Sequence, residues 1–542
     1  MEDYLAKRRA LIAKDRAARL DSSDRDGFAS DASCDEADAY VRRIREAEAL
    51  SVWGPESTHT HGEGDATHLF PGMAFLTARD IIIKTRLFKI MSKMPKGALL
   101  HAHLDATVNA RVLLDLALKY PAIHVQTDAL LTTSNLDSIL PQFCPLPRSE
   151  WTEHASLTDQ SYESKTWVPL SAARDTFAFG GPEGFDRWVI GALTISPSEA
   201  YRTHNTTVKI WDKFASTFRV ANGINKYFPL WQEYFRQFLL SSIEDGISYA
   251  EVRINFWYRL MCTADGEETV PHREWLEAFD RILHDVRAEL AAQGRADEFV
   301  GCRIIYSTIR FVPPEELDWY LEDCLALKQE FPDLIVGFDL VGHEDLLRPL
   351  LDYLEPLQRF VARQREVGVE IPFIFHAGET LGDGTAADMN LYDALLLNTK
   401  RIGHGFSLIK HPELMALCKE RGVAVEVCPI SNEILRLTSS MPAHPLAAVM
   451  NHGVPVTLCS DDPSVFGNMG LSYDFFQVLV ASEINGLKTM GCLARDSFKY
   501  SCLPEDEKAR ATALWDKQWR KFIEGLFHEE IADEKLRGTV KN

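Results

Sequence analysis

The chain has 542 residues, room for two to four domains at about 100–200 residues each, or for one large barrel with additions. Hydrophobic residues make up 46% and charged residues 25%, which suits a globular protein with a sizeable core, and no apolar run reaches the roughly 18 residues that would span a bilayer. The net charge of −21 repels phosphate backbones and anionic membranes, and no basic stripe offsets it, so neither is an expected partner; a small substrate in a pocket is compatible.

The first twenty residues alternate basic and acidic groups without an apolar h-region, so a secretory signal is not expected and the location reads as cytoplasmic. Residues 1–50 are nearly half charged and read as a solvated, partly flexible arm, with a docking helix as the alternative. Residues 51–75 are loop-like, and one helix is expected over 75–94. From there the pattern changes to eight short apolar runs, at 98–104, 248–254, 301–307, 334–342, 371–379, 401–405, 423–429 and 455–461. After the second run they alternate with amphipathic stretches such as HREWLEAFDRILHDVRAELAAQG. Eight such units predict an α/β fold, a (β/α)8 TIM barrel, with an N-terminal helical extension and a long insertion after the first strand. The expected organisation is an arm over 1–95, a barrel over 96–530 with its insertion at about 120–205, and a tail over 531–542. The ten cysteines include no C-x-x-C pair, and no glycine-rich nucleotide fingerprint or P-loop is present.

Catalytic groups of such barrels sit at the C-terminal ends of the strands. Here those ends carry His101 and His103, His376 and Glu379, His404, and Asp461 with Asp462. Side chains alternate along a strand, so His101 and His103 face the same way and can grip one divalent cation from one side. His376 and Asp461 would complete a three-nitrogen, one-oxygen set that suits zinc, although iron, cobalt or manganese would also fit. Such a metal lowers the pKa of a bound water to about 7, which describes a hydrolytic site. Glu379 is placed for proton transfer, and His404 to orient the nucleophile. A second H-x-H, His59 and His61, lies in a loop before the barrel and reads as non-catalytic; His343, His411, His444 and His452 read as structural or solvent-facing. The serine-hydrolase motif G-x-S-x-G and the cytidine-type zinc motifs are absent, and the fourth strand lacks the lysine that bridges binuclear sites, which favours one metal.

In order along the chain, MPKGALLHAHLDA, GFDLVGHED, FHAGET, RIGHGFSL, EVCPISNEIL and VTLCSDDPSVFG resemble the adenosine deaminase branch of the metal-dependent amidohydrolases. GFDLVGHED, the insertion and LSYDFF resemble more specifically its growth-factor-related members, over roughly residues 95–530. The resemblance implies one zinc ion per chain on His101, His103, His376 and Asp461, and a reaction that converts adenosine, with 2′-deoxyadenosine, to inosine and ammonia. It further implies that Glu379 gives a proton to purine N1, that His404 positions the hydroxide, that Asp462 meets N7 and that the Gly342 backbone meets N3. Asp105 and Trp211, the latter in KIWDKF, would line the ribose, and the N-terminal helices would form a homodimer. In two places the chain departs from the growth-factor-related pattern: Asp105 comes two residues after the second histidine rather than one, and Thr308–Ile309 replaces an acidic–His pair. AMP or another modified adenine nucleotide or nucleoside is therefore the alternative substrate, for which Arg310 is the one nearby cation, and a catalytically silent binding protein is the alternative of another class.

Overall fold

The computed structural model describes residues 1–19, 32–54 and 69–539, with the side chains of 531–539 left aside; His59, His61 and most of the acidic stretch at 21–31 lie outside the described residues. Eight parallel strands form the centre: β1 (Gly97–Leu99), β2 (Ile247–Asn255), β3 (Gly301–Ile309), β4 (Ile335–Val341), β5 (Ile374–Ala377), β6 (Arg401–His404), β7 (Ala424–Val427) and β8 (Val456–Leu458). They pair in chain order as two four-stranded sheets, β1–β4 and β5–β8. Bridges between Phe338 and Phe373 and between Ala102 and Asp461 join both seams, so the barrel closes. The expected (β/α)8 architecture is what forms. Each crossover after β2 returns over the outside through helices such as His272–Ala292 and Pro314–Glu330, whose apolar stripes cover the strands.

The lumen is layered. Ile305, Val336 and Ile374 form a small apolar plug of their own, separate from the main core, with Cys502 against it. Above the plug the inward positions of the strands are charged rather than apolar, and above those lie the histidines. All ten cysteines are free thiols, nine of them outside the β1–β2 connection that carries Cys144.

Two local expectations change. The single helix over 75–94 is two, Phe75–Ile82 and Arg86–Met91, because Thr85 takes an extended conformation and its hydroxyl caps the second helix by accepting from the Phe88 amide at 3.1 Å. The 1–50 arm is not solvated throughout. Helix Ala32–Ser51 buries Cys34, Ala37, Tyr40, Val41 and Ile44 against the C-terminal helices, whereas helix Glu2–Ala17 buries nothing. The aperiodic stretch at 120–205 carries a three-stranded antiparallel sheet, with Ile123–Gln126 between Gln142–Pro145 and Val168–Pro169, and helices Leu170–Asp175 and Gly181–Leu193. Asp186 ties these pieces to the barrel by accepting from Arg174 and Arg111, each at 2.7 Å. The C-terminal helix runs from Glu505 to Thr539.

Candidate active site at the C-terminal mouth of the barrel

The chain stays extended past β1, so His101 and His103 project together, their ring centroids 5.4 Å apart. His376, the third residue of β5, and His404, the last of β6, close the group with centroids 4.6 and 4.7 Å from His101. Gly403 is what allows this approach, since a Cβ there would stand 3.0 Å from His101 Cε1 and 3.2 Å from the His376 Cα. His404 and Asp461 both hold φ of +61°, a left-handed conformation that costs a non-glycine residue about 1–3 kcal/mol. Two such residues at two strand ends mark where the fold accepts strain to aim side chains inward.

One ligand atom from each of His101, His103, His376 and Asp461 falls within 4.8 Å of the others. His101 Nε2 lies 3.2 Å and His103 Nε2 3.4 Å from the same Asp461 oxygen, Oδ1. Neither the His101 nitrogen nor that oxygen has a hydrogen-bond partner. The reason lies on the far side of the rings. His101 Nδ1–H donates to Glu426 Oε2 at 2.7 Å and His376 Nδ1–H to Asp339 Oδ2 at 2.6 Å. Each carboxylate thereby fixes the tautomer with Nε2 unprotonated, as metal-ligating histidines require. Burial also holds His103 and His404 neutral, with pKa values of about 3. Lone pairs facing one another in a dry site want a cation between them, and the donor set fits a divalent metal. His101, His404, Cys428 and Asp461 form an overlapping quartet within the same distance limit.

The carboxylates that orient the histidines are themselves held by Arg253. From β2 it donates to Asp339 on β4 at 2.7 Å and to Glu426 on β7 at 2.8 Å, so it must cross the lumen. Arg401 contacts the other Glu426 oxygen at 2.6 Å and Glu251 at 2.7 Å. All five of these groups are fully buried. Sequence reading missed Arg253, Asp339 and Glu426; the available signal was a charged residue in the middle of each of three apolar strands, AEVRI, GFDLVG and VAVEVCP.

Glu379 is buried, with Oε1 unpartnered and 3.6 Å from His404 Nδ1. Burial, then the neighbouring Asp461 and Glu344, push its carboxyl well above the usual range. Glu344 positions it by accepting from the Glu379 amide at 2.9 Å, the Gly378 amide at 3.2 Å and the Asn390 side chain at 2.6 Å. Asp462 is buried with Oδ1 unpartnered, and burial and Asp461 raise its carboxyl too. Asp105 sits in the turn Leu104–Ala106 at the same mouth, raised to about 6 by burial. Gly342 directly follows β4, and Trp211 lies on helix Thr207–Asn225 with its ring flat against His343. The residues expected to hold metal, move protons or bind substrate thus lie at or just beyond the C-terminal ends of the strands, with Trp211 joined to them through the loop after β4.

The four histidines that read as structural or solvent-facing hold such positions. His343 is a largely buried loop residue whose ring stacks on Trp211. His444 is buried, 3.0 Å from Asn432 Oδ1, while the Asn432 amide stands 3.4 Å from His404 Nδ1. His411 pairs with Asp388 at 2.9 Å, and His452 is exposed. Arg310 is fully buried below the mouth; it donates to the Leu340 and His376 carbonyls and lies 3.5 Å from Glu344.

The model of the adenosine deaminase family matches residues 196–517. The chain belongs to the adenosine deaminase family. Among its relatives, adenosine deaminase 2 of Sus scrofa is 33% identical over 475 residues, covering 86% of each chain. Adenosine deaminase 2 of Homo sapiens is 34% identical over 461 residues, 84% of this chain and 83% of that one. The resemblance to the growth-factor-related branch is therefore upheld, and the chain is a hydrolase of the metal-dependent amidohydrolase type. Adenine deaminase from Arthrobacter aurescens shares the fold, with a TM-score of 0.51 at 18% identity over 79% of this chain and 99% of that structure.

Replacing Glu426 with Ala removes the acceptor that fixes the His101 tautomer and leaves Arg253 and Arg401 short of a partner. We expect metal retention after dialysis against a weak chelator to fall about 10–100-fold in affinity, read as metal per chain by elemental analysis. Full retention would show that Glu426 does not orient the ligand.

Proposed function

We propose that the chain deaminates adenosine, with 2′-deoxyadenosine, through one zinc ion per chain held by His101, His103, His376 and Asp461. The observation that carries this reading is the convergence of three imidazoles, two of them with Nε2 left bare by carboxylates on Nδ1, and one carboxylate oxygen near Glu379, whose carboxyl burial pushes above its usual range. When bound, zinc supplies the Lewis acidity that makes hydroxide available near neutral pH.

The protein's own residues then act as follows. Gly342 N–H and Asp462 hold the purine at N3 and N7, which turns C6 toward the histidine cluster. Glu379, held as the neutral acid, gives its proton to N1 as water oxygen adds to C6. His404, 3.6 Å from Glu379 and 3.9 Å from Asp461 Oδ2, stands where it can orient the adding oxygen. The C6–N6 bond then breaks as the C6 hydroxyl becomes a carbonyl: the hydroxyl proton passes through the Glu379 carboxylate to N6 and ammonia leaves, inosine keeps the N1 proton, and the other water proton, taken up by His404, restores Glu379. The dry surroundings strengthen each of these charged contacts.

Nucleoside rather than nucleotide follows from the mouth's charge. Arg310, the cation that an AMP reading needs, is spent on two backbone carbonyls and Glu344, and Asp105 presents a carboxylate that repels phosphate. The silent binding-protein reading would be favoured by a missing ligand or acid, and all are present.

Loss of absorbance near the adenine maximum, followed with adenosine, 2′-deoxyadenosine and AMP, tests the reaction. Adenosine should turn over and AMP should not; Glu379→Gln should lose about 10²–10⁴-fold in kcat with metal content intact. AMP turnover alone would move the substrate, and unchanged activity in the variant would remove Glu379 from its role.

The pH dependence has a defined sign. A carboxyl raised above its ordinary value donates a proton below that raised pKa and loses activity as pH climbs through it. His404, Asp461, Glu344, Arg310 and Asp345 are the charged or titratable groups acting on Glu379. Removing one raising charge with Glu344→Gln, which keeps an acceptor oxygen, should shift the alkaline limb of kcat/KM to lower pH. An unmoved limb would mean another group sets it.

The same reading makes the enzyme a homodimer assembled through its N-terminal helices. Helix Glu2–Ala17 exposes Tyr4, Leu5 and Leu11 and buries none of its residues, as an unpaired contact surface would. Deleting residues 1–17 should convert a dimer to an active monomer by light scattering; a mass unchanged by the deletion would place any interface elsewhere.

A further inference from the structure

Helix Thr207–Asn225 lies across the mouth of the barrel and is pinned to three different strand ends. At its C-terminal end the Asn225 amide donates to the Asp105 carbonyl at 3.0 Å, just beyond β1. In its middle Phe214 stacks on Phe466 at 5.5 Å and 11°, four residues after Asp462 and beyond β8. Near its N-terminal end Trp211 stacks on His343, beyond β4, with centroids 4.2 Å apart and planes within 3°. Phe214 also buttresses Trp211 edge-on at 5.1 Å. The roof therefore reaches over the buried histidines and acids, and Trp211 forms the part of it that faces β4.

His343 is built to hold that position. Gly342 before it has φ of +112°, and a Cβ there would meet Leu347 Cδ1 at 2.6 Å, so the chain turns sharply where only glycine fits. The His343 carbonyl then accepts from the Leu346 and Leu347 amides at 3.2 and 3.0 Å, closing a one-turn loop. The next two residues anchor the loop to the β5 end. Glu344 holds the Glu379 amide, and Asp345 accepts from the Thr380 hydroxyl at 2.6 Å. The ring side chain is 12% exposed and its nearest carboxylate, Asp345, is 4.0 Å away, so the stack on Trp211 is its close side-chain contact.

We propose that His343 is a positioning residue for substrate binding: it fixes the plane of Trp211 against the nucleoside, and so links the β1–β2 connection to the loop that carries the support of Glu379. This rests on the reading of Trp211 as a wall of the nucleoside site. A parallel aromatic pair contributes enough to change affinity by about three- to tenfold when lost. Because the ring acts on binding geometry and does not meet the reacting atoms, its removal should fall on KM rather than kcat.

The test is steady-state kinetics on adenosine with the metal-loaded full chain, for H343A, H343F, W211A and H343A/W211A. H343A and W211A should each raise KM about three- to tenfold with kcat within about twofold, H343F should recover most of the loss, and the double variant should be no worse than W211A. Melting temperatures near that of the unaltered protein establish that each variant is folded, and H343F keeps the question open to test if H343A is not. The proposal is overturned if W211A raises KM and H343A does not, if H343F binds as poorly as H343A, or if the two single effects multiply in the double variant. A W211A variant with unchanged KM would instead remove Trp211 from the nucleoside site, and the proposal with it.

Discussion

The arrangement depends on one guanidinium. Arg253 crosses the barrel lumen from β2 and grips Asp339 on β4 and Glu426 on β7, and those two carboxylates orient His376 and His101. A lone charge at that depth would be prohibitively costly; the cross-linked set of Arg253, Arg401, Asp339, Glu426 and Glu251 compensates each charge with a partner. Breaking such a set by removing one member costs about 3–5 kcal/mol, more than most single substitutions. The apolar plug of Ile305, Val336 and Ile374 supports this layer from below.

With the charged layer in place, the histidines have little freedom. His101 and His376 commit Nδ1 to carboxylates, the Nε2 atoms of His101 and His103 face Asp461, and the left-handed backbone at His404 and Asp461 is overdetermined by the strands on either side. Strain is thus concentrated where the side chains must converge. Glu344 plays for Glu379 the part that Asp339 and Glu426 play for the histidines, holding it by its backbone while Arg310 balances the charge from behind. Acid and metal-type ligands are set by separate supports, and their surroundings push the two carboxyls apart: burial raises that of Glu379, and the neighbouring histidines lower that of Asp461.

The connection between β1 and β2 contributes the outer half of the site. Its helix Thr207–Asn225 meets the ends of β1, β4 and β8, so a segment remote in sequence from Glu379 roofs the same cavity. Its sheet at 123–169 has no hydrophobic period long enough to read in advance, because the strands are two to four residues long and stabilised by pairing with one another.

The sequence alone determined the elements and the chemistry at their ends. Apolar runs of strand length separated by amphipathic helices leave few architectures, and the alternation of side chains along β1 already puts His101 and His103 on one face. Histidines and acids at strand ends in a barrel point to a common mouth whatever their separation along the chain. Tertiary structure decided which groups stand behind them. Arg253, Asp339, Glu426 and Glu344 touch their partners only after strands far apart in sequence close into a ring, and a buried charge in an apolar strand looks the same whether it supports a ligand or an unrelated ion pair. His343 shows this most plainly. Its stacking on Trp211 joins residues 132 positions apart through a glycine turn and a helix that crosses the mouth, and no local pattern encodes where two rings will meet.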